Sequence, residues 1–365
     1  MQIREIIQCL ESFAPLQYQE HYDNAGLLTG DAGWELTNAL LTLDVTEAVI
    51  AEAIRKKCNL IVSHHPIIWG GLKRINGNSY AERVVIKAIK ADIAIYAAHT
   101  NIDNMSRGVS GMICERLGLV HCTVLSPLKD TLKKLYSFVP SDHAENVRGA
   151  LFAAGAGSIG NYSECSFNAE GTGTFKGAKG TNPYTGKPGE RHSEKETKVE
   201  VIFPAHLQRQ IVDALLKNHP YEEVAYDVIT LDNGNHGIGS GMAGELPEPM
   251  AENDFLQLLK EKMQTGCIRH TALSGKKVKK VAVCGGAGSF LLKKAIAAGA
   301  DVYISADFKY HEFFDADNQI VIADIGHYES EQFTVELFYS ILTGKFPNFA
   351  PLKSTIYTNP VNYLQ

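Results

Sequence analysis

Short apolar segments that alternate with amphipathic helices occupy the first 125 residues, and this alternation limits the fold more than any other feature. The segments ALLTLDVT (39–46), NLIVS (59–63) and DIAIYAAH (92–99) are nearly continuous apolar runs, as in strands that are buried on both faces. A helical pattern follows each of them, and Thr46 is placed to cap the first of these helices. The alternation predicts a parallel sheet with helices on both faces.

The same style returns near residue 240 and continues to the end of the sequence. The apolar segments KKVAVCGG, ADVYISAD and QIVIADIG are separated or followed by helical patterns such as FLLKKAIAAG and SEQFTVELFYSIL. We therefore expect one α/β core that both ends of the chain build, from residues 1–127 and 233–365.

The middle of the chain, residues 128–232, has a different order of elements. Strand patterns at LKKLYSFVP, near 161–176, at TKVEVIFP and at EVAYDVITL alternate with the helical patterns HAENVRGALFAAG and HLQRQIVDALLKN. This order resembles a ferredoxin-like α+β domain that is inserted into the core. Residues 176–196 are rich in glycine, proline and charge, so we expect them to form a mobile loop.

Composition excludes several functional classes. A hydrophobic content of 45% and a charged content of 21% are typical of a folded chain, and 365 residues suggest about two to three domains. The net charge of −6 gives no electrostatic footprint for nucleic acid. There is no 18-residue apolar run and no signal-like start, so no membrane partner is expected. Seven scattered cysteines without a CxxC pair predict reduced thiols and a cytoplasmic location.

Polar side chains that could bind a ligand follow three of the predicted strands. Ligands of open α/β sheets lie beyond the carboxyl ends of the strands. If the strand NLIVS ends at Ser63 and Pro66 forces a turn, two adjacent imidazoles can face one cavity. The candidates that this rule collects are His64, His65, His99, Asp103, His327 and Glu331, and the last two are spaced as neighbours on a helix face.

Imidazoles and carboxylates without a thiolate are the ligands of zinc, iron, manganese or cobalt, not of a sulfur-rich structural site. Any single histidine among the thirteen is more commonly a surface or hydrogen-bonded residue than a ligand. Five ligands, namely His64, His65, Asp103, His327 and Glu331, are more than one catalytic ion usually takes. Because a carboxylate can bridge, a site for two divalent ions is the economical interpretation.

Several segments resemble one known family. SHHPIIW, AAHTNIDN and GHYESE resemble signatures of the NIF-three-like proteins, also labelled GTP cyclohydrolase 1 type 2 homologues. HYDNAGLLTG and ISADFKYHEFF resemble two further family segments, with Tyr22 where tryptophan is commoner and Ala306 in place of glycine. The segment NHPYEEVAYDVITL (218–231) resembles the PII/CutA-like module that some bacterial members carry.

The resemblance implies roles that spacing alone does not. His65 and Asp103 would bind one metal ion, His64 and His327 the other, and Glu331 would bridge the two. His99 would be a catalytic group that handles a proton in the same cavity. Members with the inserted module typically form toroidal hexamers, so a homohexamer is expected.

Other candidate residues have two interpretations each. The segment CGGAGS (284–289) could cradle an anion or form a tight turn. Asp307, Lys309 and His311 could line the cavity or begin a solvated helix, and Trp69 and Tyr328 could stack on a substrate ring or pack beneath the site.

Two functions follow as hypotheses. The first is a metal-dependent hydrolase, either a cyclohydrolase or a phosphoesterase, that acts on a nucleotide-like small molecule. The second is a non-catalytic regulatory or scaffold hexamer that binds metal.

Overall fold

The computed structural model describes residues 1–364, and the chain forms two compact units. The larger unit comprises Met1–Pro127 and the chain from His236 onward, and the smaller unit is Leu128–Asn235. None of the helices in the described part of the chain has the length and apolar content that a membrane span requires.

The first segment of the larger unit alternates helices and short strands. In chain order its elements are α1 (Ile3–Phe13), β1 (Gly26–Thr29), β2 (Ala39–Thr42), α2 (Glu47–Arg55), β3 (Leu60–Ser63), α3 (Tyr80–Lys90), β4 (Ala94–Ala97), α4 (Thr100–Asp103), α5 (Val109–Leu117) and β5 (Val120–Pro127). The expected helix cap is confirmed, because the backbone N–H of Val49 donates a hydrogen bond to the Thr46 hydroxyl at 3.3 Å.

The smaller unit alternates strands and helices in the order β–α–β–β–α–β. Its elements are β6 (Leu132–Pro140), α6 (Ala144–Ala153), β7 (Ser166–Lys176), β8 (Arg191–Pro204), α7 (Gln208–Asn218) and β9 (Tyr226–Leu231). The strands pair antiparallel in the order β7-β8-β6-β9, which is the ferredoxin-like arrangement that the sequence predicts. Both helices pack on one face of this sheet, where Leu135, Val199, Phe203, Val147 and Leu215 are buried.

The second segment of the larger unit contains the remaining elements. In chain order these are β10 (Gly239–Ala251), α8 (Glu252–Met263), β11 (Arg269–His270), β12 (Lys277–Ala287), α9 (Leu292–Ala297), β13 (Val302–Ala306), β14 (Val321–Asp324), α10 (His327–Glu331), α11 (Thr334–Lys345) and β15 (Leu352–Lys353).

One sheet of the larger unit has the strand order β1-β4-β3-β2-β15 and is parallel except for β1. Alternate residues of its strands are buried on opposite faces, as a sheet covered on both sides requires. Leu40 and Ile61 pack with helices α2 and α3, whereas Leu41 and Val62 pack with α1 and α11. The predicted parallel sheet is therefore confirmed for this part of the chain.

A second sheet of the larger unit has the order β11-β14-β13-β12-β10-β5, and only β12, β13 and β14 run parallel. The sequence predicted neither β5 nor β10, which pair antiparallel with each other, and β10 also pairs antiparallel with β12. Glycine and proline hide β10 from pattern analysis, but its glycines permit close packing. A Cβ atom on Gly244 would lie 2.7 Å from the sulfur of Cys122 on β5.

The expected loop at 176–196 is shorter in the structure. Residues Arg191–Glu196 extend β8 and pair with the end of β7, which leaves 177–190 as the connection. The sequence concealed this part of the strand because its residues, Arg191 to Glu196, are all polar and show no apolar alternation.

Candidate metal centre

The ends of strands from both sheets of the larger unit meet at one cavity. His64 and His65 follow β3, and His99 follows β4, with Asp103 at the end of the short helix α4. From the second sheet come His327 and Glu331 at the two ends of α10, which follows β14. All six side chains that the strand-end rule selected therefore lie at the carboxyl ends of strands.

The adjacent histidines are fixed because the chain leaves β3 after Ser63. The backbone N–H groups of His64 and His65 both donate to the carbonyl oxygen of Leu43, at 3.1 and 3.0 Å. The Ser63 hydroxyl donates to the carbonyl oxygen of His65 at 3.0 Å. These bonds end the two-fold alternation of a strand, and the two ring centroids lie 4.9 Å apart.

Each imidazole in the cavity donates a hydrogen bond from Nδ1, which leaves Nε2 as the ring nitrogen that faces the cavity. His64 donates to the backbone oxygen of Ala98 at 3.0 Å. The other three rings donate to carboxylates: His65 to Asp44 at 2.8 Å, His99 to Asp23 at 2.8 Å and His327 to Asp307 at 2.7 Å. Ligand histidines in metalloproteins have this arrangement, with an acceptor that fixes the tautomer and orientation of the ring.

Glu331 lies at the centre, and each of its oxygens faces a different set of side chains. Its Oε2 lies 3.0 Å from Nε2 of His65 and 3.1 Å from Nε2 of His327. Its Oε1 lies 3.6 Å from Nε2 of His64, which is also 3.6 Å from Oδ1 of Asp103. Two three-residue groups with ligand atoms within 4.8 Å of one another share this carboxylate, one with His65 and His327 and the other with His64 and Asp103. A third group joins His64, His65 and His99.

This grouping differs from the pairing that the resemblance implied. His65 is placed with His327 instead of Asp103, and their Nε2 atoms are 3.3 Å apart. Two nitrogen ligands of one tetrahedral ion, each about 2.05 Å from it, are also roughly 3.3 Å apart. The shortest Nε2 contacts of His65 are to Glu331 and His327, and the pairing of His65 with Asp103 that the resemblance implies stays a prediction.

Three buried ligand atoms in this cavity have no hydrogen-bond partner: Nε2 of His64, Oδ1 of Asp103 and Oε2 of Glu331. The contacts of Oε2 with Nε2 of His65 and His327, at 3.0 and 3.1 Å, are ion pairs if those rings are protonated. A buried polar atom left unpaired costs about 1–3 kcal/mol, so three at one place call for a ligand. The nitrogen and carboxylate donors fit a divalent cation.

The pKa values in the cavity show where positive charge is needed. Burial lowers the pKa of His64 to about 4. Burial also opposes protonation of His65 and His327, but nearby carboxylates outweigh it and raise the pKa of His65 to about 10 and of His327 to about 11. The protons on these two rings therefore balance the charge of Glu331, at positions where a divalent ion would displace them.

The two carboxyl groups of the cavity have opposite pKa shifts. Burial, with the charge of Glu331, raises the pKa of Asp103 well above its ordinary value. Burial acts in the same direction on Glu331, but the charges of His327 and His64 outweigh it and lower the Glu331 pKa well below its ordinary value. A cation between them would favour the ionised form of both groups.

The glycine-rich segment 284–289 lies against Glu331. Gly286 has a φ of +62°, and a Cβ atom there would be 2.3 Å from Oε1 of Glu331. Its backbone N–H donates to the hydroxyl of Ser330 at 2.8 Å. Residues 284–287 are the end of β12, where the pairing with β13 is irregular after Val283, and they allow close approach to α10. These contacts support neither the tight turn nor the anion cradle.

The remaining candidates are divided between the cavity and the surface. Trp69 lies at the cavity mouth, half exposed, with its ring centroid 5.0 Å from that of His99. Tyr328 packs on Tyr357 with centroids 4.9 Å apart. Lys309 and His311 are exposed.

Sequence reasoning left Asp23 and Asp44 without a role and gave Asp307 two interpretations. Asp44 and Asp307 both follow strands, β2 and β13, so the strand-end rule could have placed them in the site. Asp23 lies in a loop and carried no such signal. Burial opposes its ionisation, but hydrogen bonds from His99 and Thr100 lower the Asp23 pKa to about 2.

Comparison with known proteins gives one consistent result. The family model described as Duf34/NIF3 (NGG1p interacting factor 3) matches residues 1–360. A Bacillus subtilis protein named GTP cyclohydrolase 1 type 2 homolog is 41% identical over 327 residues, which are 89% of this chain and 88% of the relative. A homologue with the same name from Halalkalibacterium halodurans is 38% identical over 98% of both chains.

Solved structures agree with these sequence matches. A crystal structure of a Bacillus cereus protein related to NIF3 aligns with a TM-score of 0.87 and 39% identity, over 100% of this chain and 99% of that one. A Staphylococcus aureus protein aligns with a TM-score of 0.79 and 29% identity over the same shares.

Proposed function

The chain belongs to the Duf34/NIF3 family, and from this premise and the geometry of the cavity we propose that it is a metal-dependent hydrolase. In this proposal two divalent ions, of zinc, iron, manganese or cobalt, bind around Glu331. His65 and His327 would bind one ion and His64 and Asp103 the other. The substrate class that the names of the relatives suggest is a nucleotide-like small molecule.

One observation carries the proposal: Nε2 of His64, Oδ1 of Asp103 and Oε2 of Glu331 are buried in one cluster and have no hydrogen-bond partner. Histidine-rich clusters without a cation normally satisfy their ring nitrogens with water or protein groups. Here each ring is already fixed at Nδ1, and the free atoms converge within 4.8 Å of one another in each three-residue set. That convergence supports ligation over a structural hydrogen-bond network.

Divalent ions in such a site supply Lewis acidity and lower the pKa of the water that they bind. The protein's own residues would position the substrate and move its protons. Asp23 keeps the Nδ1 proton on His99, so Nε2 of His99 can accept a proton from within the cavity. His99 is 7% exposed, which limits exchange of that proton with bulk water.

Trp69 gives the cavity a flat apolar wall that is open to an incoming ring. Its side chain is 48% exposed although it borders the buried histidines, and an exposed tryptophan at a polar site offers a stacking surface. This placement supports a heterocyclic substrate such as a guanine nucleotide, and a phosphoester of a nucleoside would use the same wall.

Activity of the metal-loaded protein tests the proposal. Protein loaded separately with zinc, iron(II), manganese and cobalt would be incubated with GTP and with a panel of nucleotides and phosphoesters, while formate and phosphate are measured. We expect turnover that exceeds that of the free metal ion and that falls at least about 100-fold in His99→Gln. Turnover no greater than that of the free ions with every substrate would contradict the hydrolase proposal.

A regulatory or scaffold role is the second candidate, and one observation favours it. The smaller unit, Leu128–Asn235, has its own core and contributes none of the clustered ligands. We propose that this unit is a PII/CutA-like module and that the protein is a homohexamer, which the resemblance of residues 218–231 supports. Light scattering should then give about 239 kDa, six times the 39.9 kDa chain, whereas the mass of a monomer or dimer would contradict the hexamer.

A further inference from the structure

The smaller unit contains a cavity that is separate from the histidine cluster. Its volume is about 760 Å³, within the range of small-molecule sites in proteins. The cavity lies on the face of the sheet opposite the two helices, between strands β6, β7 and β8, the loop 177–190 and the segment after α7. Every residue that lines it belongs to Leu128–Asn235.

Two glycines of β7 create the space. Gly171 pairs with Glu196 and Gly173 pairs with Glu194 on β8, so two positions on this face of the hairpin carry no side chain. A Cβ atom on Gly171 would meet nothing nearer than the Glu196 backbone oxygen at 4.0 Å. A strand interior gains nothing from glycine unless something approaches the backbone closely.

The connection 177–190 closes over this space and is held in place by hydrogen bonds. Gly189 donates to the backbone oxygen of Gly177 at 2.8 Å, and Asn182 donates to the carboxylate of Glu222 at 3.1 Å. The hydroxyl of Tyr184 is 2.8 Å from Nε2 of His143. These bonds place the Tyr184 ring at the cavity wall.

Four aromatic side chains line the cavity. The ring centroid of Tyr221 is 6.0 Å from that of Phe175 and 6.2 Å from that of Tyr184, and Phe138 completes the set from β6. Tyr184 remains 55% exposed and Phe138 remains 37% exposed. Several aromatic faces around one hollow, without a side chain to fill it, are the features of an aromatic cage.

A buried carboxylate faces the same space. Glu196 is only 8% exposed, and its Oε1 accepts a hydrogen bond from the Tyr221 hydroxyl at 2.8 Å. Its Oε2 lies over β7, where a Cβ on Gly173 would be 2.0 Å away. Within the described residues no basic side chain pairs with Glu196, because Lys198 next to it on the same face is bound to Glu200 at 2.5 Å.

The charge of the lining is negative. Four glutamates, at positions 170, 196, 222 and 223, face two lysines, Lys176 and Lys198, and the Lys198 charge is already balanced by Glu200. A phosphate or carboxylate ligand would be repelled here, whereas a cation would be attracted to both Glu196 and the ring faces.

We propose that this cavity is a binding site for a small organic cation, an ammonium or guanidinium group on an apolar body, with Glu196 as the counter-ion and Phe175, Tyr184 and Tyr221 as the cage. The cationic group lies next to Oε2 of Glu196, above Gly171. The apolar body of the ligand occupies the space beneath the connection 177–190.

Isothermal titration calorimetry of the full-length protein tests this site. The probes are agmatine, which carries both an ammonium and a guanidinium group, tetramethylammonium as a compact cation, and glutarate as an anion. At least one cation should bind with saturation and glutarate should not. Glu196→Gln, which keeps the shape of the side chain, should weaken cation binding at least about tenfold.

Two further variants keep the test decisive. Glu145→Gln removes an exposed carboxylate from α6, on the other face of the sheet and outside the cavity lining, and should leave cation binding within about twofold of wild type. Gly171→Leu should fill the cavity and abolish binding while the Glu196 carboxylate is kept, with circular dichroism as the check on folding. The proposal is overturned if neither cation binds at millimolar concentration, if glutarate binds as well as the cations, or if binding survives both Glu196→Gln and Gly171→Leu.

Discussion

The four histidine rings of the candidate metal centre each use one nitrogen for a structural hydrogen bond and leave the other for the cavity. Nδ1 is always the structural atom, because Asp44, Asp23, Asp307 or a backbone carbonyl accepts its proton. Nε2 is left for the cavity, and three of these atoms approach the single carboxylate of Glu331. The properties of the site therefore depend on a few acidic side chains as much as on the rings.

Replacement of the central carboxylate tests its role directly. Glu331→Gln removes the charge that faces three imidazoles, so we expect zinc affinity to fall at least about 100-fold, as measured by competition with a chelator. Glu329→Gln is the matched control, since Glu329 is also buried on α10 but bonds to Asn359. Equal losses of affinity in both variants would show that α10 is sensitive to any such change.

The acceptors behind the rings should matter less than Glu331 but measurably. Asp44→Asn leaves the His65 ring without a charged partner, and we expect metal affinity to fall about 10–100-fold. Asp301→Asn is the control, because Asp301 accepts backbone hydrogen bonds from Lys279 and Lys280 away from the cavity. Unchanged affinity in Asp44→Asn would contradict the orienting role of this carboxylate.

The sequence predicts which residues cluster, but it does not determine how they are grouped around Glu331. The strand-end rule selects His64, His65 and His327 because the carboxyl ends of parallel strands meet. It cannot tell which ring faces which, since that depends on the rotation of α10 after Gly326, whose φ is +92°. Asp23 was missed because a loop position carries no periodic signal.

At the scale of elements, Gly286 near the end of β12 gives α10 room to place Glu331. Gly286→Ala would put a methyl group 2.3 Å from Oε1 of Glu331 at a φ of +62°, so we expect weaker zinc binding and a loss of about 1–3 kcal/mol in stability. The experiment combines urea denaturation with zinc titration.

Gly299→Ala separates backbone strain from the clash. Gly299 has a φ of +74°, but a Cβ there would meet nothing within 4 Å. This control should lose stability and keep its zinc affinity. If Gly286→Ala also keeps wild-type affinity, Gly286 does not position Glu331.

A second link between elements connects α2 to the C-terminal segment. Glu52 is fully buried and accepts hydrogen bonds from the backbone N–H and hydroxyl of Thr355, at 3.0 and 2.7 Å, and an ion pair with Lys56 at 2.7 Å. Burial alone would raise the Glu52 pKa, but these partners outweigh it and lower the pKa to about 2.

This depressed pKa predicts a pH-dependent stability. The folded state binds the ionised form of Glu52, so its contribution is fully present above the ordinary value of 4.5 and is lost as the pH falls towards about 2. Glu52→Gln should cost roughly 1–3 kcal/mol at pH 7 and clearly less at pH 3.5, by urea denaturation. A cost that does not change with pH would contradict this assignment, and Glu115→Gln, at an exposed position of α5, serves as the control.

At the scale of the whole molecule, the sequence predicted which segments form the larger unit better than how its strands pair. Buried parallel strands such as β3 carry a continuous apolar signal, so their sheet could be expected. The second sheet also contains β5 and β10, and the glycines and prolines of β10 break that signal. These two strands become evident only from their pairing with each other. In the smaller unit the polar start of β8 was hidden for a similar reason.

Metal binding should also stabilise the whole chain. A ligand that binds only the folded state stabilises it by about 4 kcal/mol at 1,000 times its dissociation constant. We expect manganese or zinc to raise the melting temperature by several degrees and EDTA to reverse the rise. Glu331→Gln should show no such response, and an equal rise in that variant would place the binding elsewhere.

The most direct measurement of the central proposal is anomalous scattering from crystals of zinc-loaded protein at the zinc absorption edge. The arrangement predicts two peaks in the cavity, one on either side of the Glu331 carboxylate. The first should contact His65 and His327, and the second should contact His64 and Asp103. No peak in the cavity, a single peak, or two peaks with His65 and His327 on different ions would contradict it.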